Sequence, residues 1–196
     1  ILFNGNGYDG AWIEEAVEKR GLLNYRTTAD CMPHLLDEKN VRMLTAHRVF
    51  TRPELESRCE IMLENYCKTV RIEANTMVDM ARTGILPAVE ACAAEAASTA
   101  AAKRSLDARL PCAYECSLVR RLSGLTDRIA QAAETLEQAV TALHTATGAA
   151  AEAEAIRDTV LPAMQSLRLR RDEAETLVDR RRWPYPTYAD LLFGVQ

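Results

Sequence analysis

The stretch from Thr51 to about Arg104 constrains the fold most, because its apolar side chains recur at the spacing of one very long helix. Steps of three or four residues, or their sums, are the period of a helix face and not of a strand. Thr51 followed by Glu54 is typical of a capping box and marks the start. A helix of roughly 80 Å, at about 1.5 Å per residue, needs partners along its length. The predicted inward positions are Leu55, Cys59, Met62, Tyr66, Val70, Met77, Ala81, Val89, Cys92 and Ala96, with a flanking row of Leu63, Cys67, Ala74, Val78 and Ile85.

Two more long helices are predicted, from about Cys112 to Thr145 and from about Ala149 to Arg182, with Gly148 in the turn between them. ILPAV at 85–89 in the first helix resembles VLPAM at 160–164 in the third. Pro87 and Pro162 each remove an amide and clash with the preceding turn, so we expect a kink at both. The predicted inward positions are Leu118, Leu122, Leu125, Ile129, Ala132 or Ala133, Leu136, Val140 and Leu143 in the second helix, and Ile156, Val160, Ala163, Leu167, Leu169, Ala174, Leu177 and Val178 in the third.

The flanking segments are shorter. Residues 1–50 contain a glycine-rich turn and three short predicted helices, at Ala11 to Arg20 closed by Gly21, at Thr28 to Leu36, and from Asp37 to about Arg48. Residues 183–196 hold WPYPTYADLLF, whose prolines favour an extended path and whose apolar surface must pack on the bundle or on a neighbour. The expected fold is therefore all-α: an elongated bundle of about three long antiparallel helices (51–182), short N-terminal helices and an extended aromatic tail.

Bulk properties exclude several function classes. The 196 residues carry a formal charge of −4 with acids and bases interspersed, which gives no basic surface for a nucleic acid. No apolar run reaches the ~20 residues of a membrane span. The missing initiator Met suggests a piece of a longer protein. Six cysteines without a C-x-x-C pair are interpreted as free thiols in a reducing cytoplasm, with disulfides as the alternative: Cys31, Cys59, Cys67, Cys92, Cys112 and Cys116.

One stretch matches a dinucleotide-binding pattern. Gly5, Gly7 and Gly10 spell G-x-G-x-x-G before a helix, and Asp30 follows about twenty residues on. That pattern binds a cofactor only within a parallel sheet, and the nearest candidate second strand is 22–26, with no β pattern after it. We interpret the glycines as a turn leaving a strand that belongs to an upstream part of the protein.

Metal and nucleophile patterns are weak. His34, His47 and His144 are the only histidines, and none belongs to a His-Glu-x-x-His unit. Cys112 and Cys116 lie one helical turn apart but have no second pair of ligands, so packing is the favoured interpretation. The arginine-rich stretches 168–171 and 180–182 alternate with acids, which is typical of solvated helix faces. No residue is predicted to be catalytic, to bind a cofactor or to ligate a metal.

Two long phrases and the tail carry a family resemblance. NGNGYDGAWIEEAVEKRGLLNYRTTADCMPHLLDEKNV, ELESRCEIMLENYCKTVRIEANTMVDMARTGILPAV and WPYPTYADLLF resemble the C-terminal region of type III glutamine synthetases, the large bacterial form. The resemblance covers residues 4–89 and 183–193, and between them it rests on helical, alanine-rich character alone. It implies a parent that joins glutamate and ammonia with ATP and Mg or Mn, in a ring oligomer, with its catalytic residues upstream of this chain.

The sequence thus predicts a non-catalytic helical domain that braces its own catalytic domain or packs neighbouring subunits, and that is inactive alone. Two alternatives stay open. One is a stand-alone helical adaptor that binds a protein through its aromatic tail. The other is a nucleotide-dependent enzyme that uses the turn at 5–10.

Overall fold

The computed structural model describes residues 4–194 and, among these, every side chain except that of Tyr188. Helices account for all of the regular secondary structure in this range, which contains no strand. The predicted all-α class is therefore confirmed. The chain divides into two compact units, Ile1–Tyr66 and Cys67–Gln196, and each is described by itself.

The first unit begins with three short helices. Helix α1 (Gly10–Glu14) continues into a π-helical turn, Glu15–Lys19, and α2 (Thr28–Cys31) into a 3-10 turn, Met32–Leu36. Helix α3 spans Glu38–Ala46. Gly21 ends the first segment with φ +63°, a conformation that only glycine adopts without strain.

A side-chain cap defines the start of α2, whereas α3 begins after an aspartate that does not cap it. The Thr27 hydroxyl accepts the Asp30 amide at 3.1 Å, so Thr27 is the cap of α2. Asp37 precedes α3, but its carboxylate does not cap the helix and instead contacts Nδ1 of His34 at 3.0 Å. Because that side chain can satisfy only one geometry at a time, the ring contact replaces the cap.

Helix α4 (Arg52–Met80) starts in the first unit and continues in the second. The Glu54 carboxylate accepts the Thr51 amide at 2.7 Å and the Thr51 hydroxyl at 2.8 Å. These bonds lower the pKa of Glu54, the backbone bond having the larger effect. The predicted helix start is confirmed.

The second unit is a bundle of long helices. After α4, a π-helical turn (Ala81–Ile85) leads into α5 (Leu86–Leu106), and α6 (Ala113–Ala142) ends in a 3-10 turn, Leu143–Thr145. Then follow α7 (Ala149–Ala155), a π-helical turn (Ile156–Val160), α8 (Leu161–Glu175) and α9 (Tyr188–Phe193). Helix α6 packs between α5 and α8.

Ion pairs between helices fix their directions. Arg82 binds Glu137 through two bonds of 2.7 and 2.6 Å, and Lys103 pairs with Glu115 further along, so α5 and α6 are antiparallel. Arg71 pairs with Glu152 and Cys67 contacts the Ala149 carbonyl, so α7 runs parallel to α4. The three long helical segments, α4–α5, α6 and α7–α8, therefore run up, down and up.

The predicted apolar stripes form the core, with two exceptions. Met62, predicted inward, is 52% exposed, and Leu169, also predicted inward, is 58% exposed. The inward position is filled instead by Leu63, one residue after Met62, and by Leu167, two residues before Leu169. The fully buried positions include Leu55 in the first unit and Val89, Leu122, Leu125, Ile129, Leu136, Ile156 and Val160 in the second.

Both helical prolines follow a π-helical turn. The Leu86 amide donates to the Ala81 carbonyl, and the Leu161 amide donates to the Ile156 carbonyl, five residues back in each case. Pro87 and Pro162 come directly after these donors. A π turn inserts one extra residue at a point where proline would interrupt the hydrogen-bond ladder. The kinks at Pro87 and Pro162 stay predictions.

The third long helix ends at Glu175, seven residues before the predicted end at Arg182. The Asp179 carboxylate accepts the Arg181 amide at 2.8 Å, which favours a turn over a helix. The tail also differs from expectation, because its last part, Tyr188–Phe193, is the helix α9, and the segment before it has no regular secondary structure.

Candidate functional site: the anchored tail of the second unit

The tail starts from a turn that places Trp183 in the core. Asp179 binds the Arg181 guanidinium at 2.7 and 3.1 Å, and the Trp183 amide donates to the Asp179 carbonyl at 3.1 Å. The arginine side chain and amide together lower the pKa of Asp179 from 3.8 to about 2. Trp183 is 7% exposed, and the Arg171 guanidinium lies 5.3 Å from its ring centre. The turn therefore fixes where the tail leaves α8.

Tyr185 then packs on the π-helical turn between α4 and α5. Its hydroxyl donates to the Met80 carbonyl at 3.4 Å, and its ring lies over Gly84. A Cβ at Gly84 would lie 2.6 Å from the hydroxyl oxygen and 3.0 Å from the adjacent ring carbon. Only glycine admits the ring this closely, so Gly84 and Tyr185 form one contact.

Helix α9 is set by a complete capping box. The Asp190 amide donates to the Thr187 hydroxyl at 3.2 Å, and the Thr187 amide donates to the Asp190 carboxylate at 2.9 Å. Bonds from the Thr187 side chain and backbone lower the pKa of Asp190, and Arg180 adds an ion pair. These contacts tie α9 to the turn after α8.

The anchored helix carries three consecutive apolar side chains that are exposed. Leu191, Leu192 and Phe193 are 69%, 72% and 79% exposed. Beneath α9 lies a groove of about 280 Å³ whose wall is mostly apolar. It is lined by Met77, Met80, Ile85, Leu167, Pro186 and Leu191, with Arg168 and Asp172 among its polar residues. A short helix held by several specific contacts while it exposes three large apolar residues has the character of an interaction surface.

The residues considered for chemistry lie apart from this surface in sequence, and the structure gives each a local role. His34 stacks on Tyr25, with ring centres 4.0 Å apart, and contacts Asp37. His47 follows the end of α3, and His144 is exposed in the 3-10 turn after α6. Within residues 4–194, no three His, Cys, Asp or Glu side chains group as a metal site would require.

The glycine pattern is likewise a local turn. Gly5 and Gly7 are exposed, and Gly10 is the first residue of α1. Residues 22–26 do not form a strand. The apolar triplet before the glycines lies outside the described residues. In the described part of the chain, no helix is long and apolar enough to cross a bilayer.

Two features of the tail site were missed by sequence reasoning. The kink expected at Pro87 gives Gly84 no contact of its own, although an isolated glycine inside a helical pattern often marks a close approach. Thr187 followed by Asp190 has the spacing of a capping box, yet the two prolines before it favoured an extended tail. Both signals were present in the sequence.

Comparison with known proteins places this chain among glutamine synthetase sequences. The family model described as the glutamine synthetase C-terminal domain matches residues 1–104. The chain is 36% identical over 196 residues to a glutamine synthetase of Butyrivibrio fibrisolvens, covering 100% of this chain and 28% of the relative. It is 29% identical over 200 residues to a type-3 glutamine synthetase of Dictyostelium discoideum and 27% identical over 197 residues to a glutamine synthetase of Bacteroides fragilis, covering 98% of this chain and 27% of each relative.

Proposed function

Because this chain belongs to the glutamine synthetase C-terminal domain family, we propose that it is a non-catalytic assembly or bracing domain of a type III glutamine synthetase. The observation that carries the proposal is the exposed apolar surface of α9, to which Leu191, Leu192 and Phe193 all contribute. The anchoring contacts hold α9 in place, so little conformational freedom of the tail is lost when a partner covers this surface.

The rest of the parent protein supplies the surfaces that would cover the exposed apolar surface of α9. The chain spans about 28% of the length of the first relative, and 27% of the next two, so most of such a protein lies outside these residues. We propose that α9 contacts the parent's own catalytic domain or a neighbouring subunit of a ring oligomer. The parent's reaction, formation of glutamine from glutamate, ammonia and ATP with a divalent metal, is then assigned to residues outside this chain. Within the described residues, no group of His, Cys, Asp and Glu side chains fits that metal, and no step of the parent's reaction is assigned to them.

The assembly role is tested by placing charge on the exposed apolar surface of α9. In the full-length parent, the double substitution Leu192→Asp and Phe193→Asp is expected to reduce the oligomer seen by light scattering to smaller species, because burial of a charge at an apolar contact is costly. Leu169→Asp is the matched control, since Leu169 is also apolar and 58% exposed but lies on α8. Intact oligomers in the double variant would contradict an assembly role.

The same variants separate assembly from the adaptor alternative. If the chain is an adaptor, the double variant keeps the parent's oligomeric state and loses a bound protein instead. A second measurement concerns activity: the isolated 196-residue chain, given glutamate, ammonia, ATP and magnesium, is expected to form no glutamine. Glutamine formation by the isolated chain would refute the non-catalytic assignment.

A further inference from the structure

Two thiols and a guanidinium meet where α5 connects to α6. The sulfurs of Cys112 and Cys116 lie 4.0 Å apart, and Nη2 of Arg104 lies 3.5 Å from the Cys116 sulfur. Cys112 is the residue before α6, and the Cys116 amide donates to its carbonyl at 3.0 Å, so one regular turn separates them. Four residues at 1.5 Å rise put the two Cα atoms about 6 Å apart, within the range that a disulfide bridges.

The charge on Arg104 is available to these sulfurs. The two carboxylates of this connection bind other cations: Asp107 holds Arg109 at 2.9 and 3.1 Å, and Glu115 pairs with Lys103. Interaction with Cys112 first, and with Cys116 as well, raises the pKa of Arg104. Arg104 therefore places a positive charge next to the Cys116 sulfur.

Exposure distinguishes this pair from most of the other cysteines. Cys112 and Cys116 are partly exposed, whereas Cys59, Cys67 and Cys92 are buried. Cys31 is exposed but belongs to the first unit. A small oxidant in solvent therefore reaches the pair at α6 without unfolding of the bundle.

We propose that Cys112 and Cys116 form a peroxide-oxidisable dithiol, in which Cys116 is the attacking sulfur, Cys112 the resolving sulfur and Arg104 the positioning residue. Such a modification site is independent of the assembly role. In intracellular proteins, disulfides that form transiently are typical of redox sensing.

The reaction balances with hydrogen peroxide as the oxidant. The Cys116 thiolate attacks one peroxide oxygen: an S–O bond forms, the O–O bond breaks, and the leaving hydroxide takes a proton to become water. The Cys112 thiolate then attacks the Cys116 sulfur, an S–S bond forms, the S–O bond breaks, and the leaving hydroxide takes a proton to become a second water. The two sulfurs together lose two electrons, which the peroxide oxygens gain.

The sequence around the pair makes the experiment direct. Trypsin cleaves after Arg109 and Arg120, so one peptide, 110–120, carries both cysteines. The full chain is treated with dilute hydrogen peroxide, free thiols are blocked with N-ethylmaleimide, and this peptide is weighed. We expect an unalkylated peptide about 2 Da lighter than the dithiol form, and alkylation at both cysteines after prior reduction with dithiothreitol.

Variants assign the roles. Cys112→Ser is expected to leave a sulfenic acid on Cys116 that dimedone traps, and serine is a favourable residue before a helix, so α6 persists. Arg104→Gln is expected to slow disulfide formation about three- to five-fold, by loss of a charge near 4 Å, while Arg104→Lys keeps most of the rate. Arg109→Gln is the matched control, because Arg109 binds Asp107; its tryptic peptide runs from 105 to 120, since the site at 109 is lost, and it is expected to oxidise at the wild-type rate.

Three results would overturn the proposal. They are a peptide 110–120 that stays fully alkylatable after peroxide, disulfides that join it to other peptides instead of closing within it, and an Arg104→Gln chain that oxidises as fast as the wild type. The first two concern the dithiol and the third concerns Arg104.

Discussion

Gly84 and Tyr185 are in direct contact although they are a hundred residues apart in the chain: a Cβ on Gly84 would lie 2.6 Å from the tyrosine hydroxyl oxygen. Gly84 lies in the π turn before Pro87, and Tyr185 lies in the non-helical segment before α9. The contact explains why a glycine occupies a helical position where alanine would have the better propensity.

Gly84→Ala is therefore expected to have opposite effects in two backgrounds. In the wild type the new methyl group collides with the Tyr185 ring and lowers the free energy of unfolding. In a Tyr185→Ala background the same change is expected to stabilise the chain by up to about 1 kcal/mol, the usual preference for alanine over glycine in a helix. Urea unfolding of the four chains measures the coupling. Equal effects in both backgrounds would show that the ring does not occupy this position.

The turn at Asp179 is expected to make stability depend on pH. Its pKa is lowered from 3.8 to about 2 by Arg181, so the ionised carboxylate stabilises the folded state above pH 3.8, and this contribution is lost as the pH falls towards 2. Asp179→Asn keeps an acceptor oxygen but no charge. The variant is expected to unfold at lower urea than the wild type at pH 6.

The difference between the two chains is expected to shrink between pH 4 and pH 2. Asp107→Asn is a parallel case, because Asp107 binds Arg109 in a turn of the same construction and its pKa is also lowered. An Asp179→Asn difference that is constant over this pH range would show that the charge of Asp179 does not stabilise the turn.

Alkylation of the native chain tests the burial of its thiols. Iodoacetamide is expected to modify Cys31, Cys112 and Cys116 first, and to reach Cys59, Cys67 and Cys92 only after unfolding. Burial also raises the pKa of Cys59, whose sulfur lies 3.4 Å from the Met32 carbonyl, so its alkylation should need a higher pH. Modification of all six at one rate in the native chain would contradict the core described above.

Much of the fold follows from the sequence, because the long helices repeat one physical requirement many times. Each turn of the stripe must place an apolar residue inward, so an error at one position is corrected by its neighbours. The start at Thr51 was also predictable, because a capping box needs Ser or Thr followed three residues later by Glu or Gln. The turn at Gly148 was predictable because a φ of +92° favours glycine.

The tail was less predictable because its conformation depends on distant residues. The early end of α8 follows from one carboxylate, Asp179, that competes with the helix for a backbone amide. The position of Tyr185 depends on Gly84, and no local pattern joins the two. Helix α9 is only six residues long, a length at which propensity has little influence and the cap decides.

Leu167 and Leu169 show that a shift of two residues along a helix decides whether a leucine is buried or exposed. They also provide the most direct test of the bundle. Both are on α8 and both were predicted to face inward, yet Leu167 is 2% exposed and Leu169 is 58% exposed. Two residues advance a helix by about 200°, so the two side chains cannot share a narrow face. Leu167→Ala is expected to lower the free energy of unfolding by about 2–5 kcal/mol through the lost contacts and the cavity. Leu169→Ala, with the same chemistry, is expected to change it by less than about 0.5 kcal/mol. Equal losses in urea unfolding would mean that α8 is rotated from the orientation described here.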